Sequence, residues 1–133
     1  MRFANPHNPT EPELRAWAAD ADADEPSQDW KLILAWNMDA GRLRTLVSLA
    51  ADTALPQARF CLLALHEWIA YAARQADFVA RRQQYDRWLD EARGVRDPRV
   101  RRWRHRARLI VQGIEQFDDK QWWSAFTADV GVA

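Results

Sequence analysis

The longest apolar pattern in the chain starts after Pro56. At about 100° per residue, Ala58, Cys61, Leu62, Leu65, Trp68, Ile69 and Ala72 fall on one broad face, and Phe60, Leu63 and Tyr71 on the opposite side. The pattern predicts a helix from Pro56 to about Arg74, with proline in the first turn, where its missing N–H is not needed. A helix apolar on two sides belongs at the centre of a bundle or a layered hairpin array. Shorter periodic segments surround it. Thr10 with Glu13 has capping-box spacing ahead of Leu14 and Trp17. Ser27 can cap a segment that places Trp30, Ile33, Leu34 and Met38 on one face; the run from Trp30 to Trp36 also suits a strand by length, but nothing nearby could pair with it.

A further helix covers about Gly41 to Ala51 and buries Leu43, Leu46, Val47 and Ala50. Asp77 can cap a helix to about Ala92, with Phe78, Tyr85, Trp88, Leu89 and Ala92 inward. Asp97-Pro98 is an N-cap followed by a first-turn proline. It opens a helix to about Phe117 whose apolar face is Val100, Trp103, Ala107, Ile110, Val111, Ile114 and Phe117. Asp118 or Asp119 caps a last helix with Trp122, Trp123 and Phe126, and the tail from Asp129 frays. The expected fold is all-α, six or seven helices in one compact domain over 1–133: an extended arm at 1–9, two hairpin units over 41–117, and a terminal cap helix and tail over 118–133.

The two hairpin units echo each other at a spacing of 42 residues, which aligns Pro56 with Pro98, Arg59 with Arg101, Leu46 with Trp88, Val47 with Leu89, Ala50 with Ala92, Cys61 with Trp103, Trp68 with Ile110 and Ala72 with Ile114. Such a period suits a repeated pair of antiparallel helices. It assigns Cys61, Trp68, Trp88 and Trp103 to the core. Asp97-Pro98-Arg99-Val100-Arg101, at the start of the second helix of a hairpin, resembles the inter-helix turn of HEAT-type repeats. The earlier stretch Asp52-Thr-Ala-Leu-Pro56-Gln-Ala-Arg59 is similar, with extra residues between aspartate and proline. The resemblance covers about 41–117. It implies antiparallel hairpins, an arginine of the turn packed against an acid of a neighbouring repeat, and a scaffold or binding surface in place of chemistry.

Composition changes this picture in three ways. Apolar residues are 48% and charged residues 29% of 133, an ordinary globular balance for one domain. No apolar run reaches the roughly 18–20 residues of a membrane span, and the N-terminus has no signal-like apolar stretch. With a single cysteine, no internal disulfide forms, and a cytoplasmic location is the default expectation. Net charge is zero but unevenly spread: residues 1–30 carry seven acids against two arginines, whereas 93–108 carry eight arginines against Asp97. Eight tryptophans suit a small helical core, and one or two could anchor a partner.

Candidate chemistry is sparse. His66-Glu67 opens like a zinc-protease helix, but the position four after His66 is Ala70, so the second ligand is missing. His66 is expected at the edge of the core helix, on the face of Arg59, hydrogen-bonded to a neighbouring helix. Cys61 lies on the apolar face, where burial raises its pKa and leaves it inert. Four glycines without a cluster leave no phosphate-cradling loop. Asp86 and Asp90 suit a surface ion-pair ladder with Arg82, and Asp22, Asp24 and Glu25 match no calcium-loop spacing. The reading is therefore no enzyme, no cofactor and no metal.

The expected role is binding another protein. Small, tryptophan-rich, charge-polarised helical chains are similar in general character to bacterial immunity proteins that neutralise a cognate toxin. Under that resemblance, Asp20, Asp22, Asp24, Glu25 and Asp29 would enter a basic toxin cleft while Trp122 or Trp123 anchors the rim. Two alternatives remain: a nucleic-acid-binding protein that neutralises phosphates with Arg96, Arg99, Arg101, Arg104 and Arg108, with His105 on the same face, or a self-assembling structural subunit.

Overall fold

The computed structural model describes residues 3–5, 8–23, 34–36 and 38–130. The expected cap at Ser27, the apolar positions Trp30 and Ile33, and the acids Asp24, Glu25 and Asp29 lie outside them. Six helices are bounded within the described residues: α1 (Glu11–Ala19), α2 (Ala40–Ala51), α3 (Ala58–Ala73), α4 (Arg82–Glu91), α5 (Pro98–Val111) and α6 (Asp119–Val130). Residues 34–36 are also helical, and no described residue is in a strand.

Most helix starts have a side-chain cause. Thr10 accepts from the Glu13 amide and Glu13 reaches back to the Thr10 amide, the full reciprocal box. Asp39 caps α2 through the Arg42 amide, at 2.7 Å. Asp97 Oδ1 accepts from the amides of Arg99 and Val100 at 3.0 and 3.1 Å. Asp118 accepts from Gln121, at 2.8 Å, and starts α6. Each such cap contributes about 1 kcal/mol. By contrast α3 and α4 have no side-chain cap. The helix α3 forms because its own apolar faces are buried: ten of its residues lie in the core.

Packing follows from those faces. The short 52–57 connection folds α3 back against α2, the most extensive contact in the molecule, and α3 also touches α5 and α6. The pair α4–α5 packs against the pair α2–α3, while α1 covers α2. Trp68, Trp103, Leu62, Leu65, Ile69 and Leu89 are fully enclosed at this crossing. Among the described residues no helix is long and apolar enough to cross a membrane.

Several expectations are corrected. Pro98 opens α5 directly, but Pro56 lies in a turn and α3 begins at Ala58, so the two copies of the 42-residue echo differ at their start. Trp88 is half-buried, packed on the core and not inside it. The span from 74 to 81 is a series of turns, and α4 starts at Arg82, after Asp77. Of the arm expected at 1–9, residues 3–5, 8 and 9 are described: the Asn8 amide bonds the Asn5 carbonyl, at 3.0 Å, and Pro9 is buried, held by Arg42, which donates to the Asn8 side chain at 2.6 Å and to the Pro9 carbonyl at 3.1 Å. Asp129 is helical, in the last turn of α6.

The end of α5 differs most from expectation, with a clear reason. Gly113 has φ 76°, its amide bonds the Ile110 carbonyl at 3.1 Å, and the Ile114 amide bonds Leu109 at 2.9 Å. That pair of reversed bonds is a Schellman stop, which a glycine allows and a side chain would strain. The helix therefore ends at Val111, and Ile114 is turned out, 68% exposed.

Candidate functional site

The arginines of α5 do not form one free stripe; most are fixed by neighbouring helices. Arg104 donates through Nε to the Leu89 carbonyl, at 2.7 Å, and lies 3.6 Å from Asp90. Burial, then repulsion from Arg108, lowers the Arg104 pKa from its ordinary value. Arg108 pairs with Asp86 at 3.2 Å, and Gln112 donates to the same oxygen at 3.0 Å. Arg99 pairs with Asp97 at 3.5 Å and reaches the Ala50 carbonyl at the same distance. Asp86 and Asp90 of α4 therefore serve α5, whereas Arg82, expected to pair with Asp86, lies over the Phe78 ring, 5.4 Å from its centroid, and against Gly113.

Arg101 and Arg96 are exposed and make no side-chain hydrogen bond or ion pair with a described residue; His105 is exposed beside them. Arg101 and His105 border an open concavity of about 700 Å³. Its wall is Pro98 and the residues Arg93, Arg101, Arg102, Arg104, His105 and Arg106. Of these, Arg93, Arg102 and Arg106 were not singled out from sequence. The fixing group is Asp129, whose carboxylate takes Arg102 at 2.6 Å and Arg106 at 2.8 Å. Burial alone would raise the Asp129 pKa, but hydrogen bonds and charges from these two arginines outweigh it and hold the carboxyl below its ordinary value. The i, i+4 spacing of Arg102 and Arg106 is the signal that both face one neighbour. Arg93 pairs with Asp90 at 3.2 Å and is largely exposed.

The other sequence candidates are placed elsewhere. Trp122, expected as a rim anchor, is 3% exposed, and its indole Nε1 donates to the His66 carbonyl at 3.0 Å. That bond and the enclosing rings remove it from any partner surface. Trp123 is half-buried, 5.8 Å from Phe126 between ring centroids. Asp20 is half-buried and Asp22 exposed at the end of α1, with the Asp22 amide bonded to Asp20 Oδ1 at 2.9 Å.

His66 is not at a helix edge but fully enclosed. Its Nδ1 lies 2.8 Å from the Leu62 carbonyl one turn back, and Nε2 lies 3.3 Å from the Arg106 guanidinium. These partners assign the proton to Nδ1 and leave Nε2 as acceptor. Phe126, Trp122 and Trp123 surround the ring at 4.6, 5.2 and 6.4 Å between centroids. Burial pushes its pKa down to about 4, and pushes that of the buried Cys61 thiol up to about 12. Among the described residues no cluster of three or more His, Cys, Asp and Glu could hold a metal ion. No protein-family model, curated protein or solved structure matches the chain.

Proposed function

We propose that the chain is a non-catalytic binding protein that receives an acidic partner protein on the outer face of α5. The observation carrying the proposal is the arginine-walled concavity of about 700 Å³. Five guanidinium groups line it, and the carboxylates paired with them are two, Asp90 and Asp129. A concave surface with an excess of one charge sign concentrates field and selects partners of the opposite sign. Because Asp129 and Asp90 hold several of the arginines in place, a docking carboxylate meets donors whose positions cost little further ordering. Cys61 and His66 are enclosed and do not open on this face.

A nucleic acid has less to bind. Of the five residues in that reading, Arg96, Arg99 and Arg108 do not line the concavity, so Arg101 and Arg104 are the two that this face offers to phosphate. The toxin-immunity reading, with acids entering a basic cleft, has only Asp20 and Asp22 among the described residues and loses Trp122 to the core.

Fluorescence anisotropy with a labelled peptide of alternating glutamate and serine tests the proposal. Binding should weaken with salt. It should fall about tenfold in the double variant Arg93→Glu, Arg101→Glu, since charge reversal at two surface contacts amounts to about 1–2 kcal/mol. Both side chains are exposed, so the fold should survive the change. Equal binding by the variant, or tighter binding of a thymidine oligonucleotide than of the peptide, overturns it.

A further inference from the structure

A second concavity, of about 310 Å³, opens between α2 and α4. Its walls are apolar: Leu43 and Val47 from α2, and Trp88, Ala92 and Val95 from α4 and the turn after it. At its rim Arg44 pairs with Glu91 across the two helices, at 3.0 Å. Trp88 in this wall has ring contacts with Tyr85 at 5.4 Å and Trp68 at 6.1 Å, so the slot has an aromatic side backed by the core. A cavity of about 150 Å³ holds a benzene ring. The slot therefore has room for one large aromatic or aliphatic side chain with its backbone outside.

Consecutive residues line the two concavities: Ala92 lines the slot and Arg93 the arginine concavity. An extended segment advances about 3.3–3.6 Å per residue, so a few residues of one strand could occupy both. We infer that the occupant is an acidic segment of the partner protein carrying a single large apolar side chain. That side chain enters between Trp88 and Val47, and carboxylates a few residues away meet Arg93 and Arg101. The inference rests on the acidic-partner reading above and adds the anchor. An apolar anchor in a pocket beside a ring of charge is the usual division between affinity and selectivity at an interface.

The glutamate–serine peptide with one central phenylalanine, and the same peptide with alanine there, serve as probes. On the unaltered chain the phenylalanine peptide should bind about tenfold tighter than the alanine peptide. Ser48, exposed and lining the slot, offers a plug: Ser48→Trp should erase the preference and leave the alanine peptide unaffected. Equal affinity for the two peptides, with both lost in the Arg93→Glu, Arg101→Glu variant, overturns the anchor and leaves the basic-face reading standing. A preference for phenylalanine that persists in Ser48→Trp puts the anchor elsewhere and overturns the inference. Failure of both peptides to bind the unaltered chain removes the reading beneath it as well.

Discussion

Trp68→Ala is expected to remove about 3–5 kcal/mol of folding free energy. Trp68 sits where α3, α4 and α5 cross, 2% exposed, with its ring 5.4 Å from Tyr85 and 6.4 Å from Trp103. Truncation removes the transfer energy of the indole and leaves a void that three helices cannot close together. Against a total of about 5–15 kcal/mol, that is enough to shift the thermal midpoint down by about 10 °C or more. Urea titration of Trp68→Ala beside Trp36→Ala is the check. Trp36 is 54% exposed, with Tyr71 6.0 Å away, so its loss should cost far less. Similar losses for the two would contradict the placement of the core.

Acid sensitivity gives the second large effect, and His66 sets its window. In the folded chain the imidazole is kept neutral, with a pKa near 4, against 6.5 when unfolded. The unfolded chain therefore takes up a proton below pH 6.5 that the native chain refuses. Stability is complete above that pH and falls until about pH 4, by about 3 kcal/mol in all. The main opposition is burial, which disfavours the charged ring, and the neighbouring Arg106 charge adds to it. Arg106 from α5 donates toward Nε2, so a proton there would face a guanidinium; Asp129 from α6 offsets part of that repulsion. Below the window a different set takes over. Asp129 and Glu13, whose carboxyl pKa values are lowered in the fold, contribute stability that disappears as pH drops through their own range. His66→Leu should flatten the curve between pH 6.5 and 4 while leaving the steeper loss at lower pH. Urea midpoints over that range measure it, and an unchanged slope in the variant would refute the assignment.

Local signals carried most of the fold. Thr10 with Glu13, Asp97 and Asp118 each cap the helix expected after them, because capping depends on residues within three positions. The apolar faces of α2 and α3 were legible for the same reason, as periodicity alone selects them. What failed involved choices between near and distant partners. Arg82 and Asp86 have helical pair spacing, yet Asp86 is taken by Arg108 and Gln112 from α5. Trp122 reads as a surface aromatic in a terminal helix, but His66 and Phe117 enclose it. Ile114 continues the stripe of α5 by count, but the helix ends three residues earlier, at Val111, where Gly113 takes up the left-handed turn. For the binding face, the arginine density of 93–108 was visible. Its division into fixed and free groups depends on Asp129, some twenty residues away on a segment expected to fray.

The central claim, that α5 and the α2–α4 slot receive an acidic segment, is tested most directly by backbone amide NMR during titration with the phenylalanine-bearing acidic peptide. Saturable shifts should cluster at 93–106 and at 43–48, and the first cluster should vanish in the Arg93→Glu, Arg101→Glu variant. Shifts centred on residues 11–23 or on α6, or no saturable shifts at all, would contradict it.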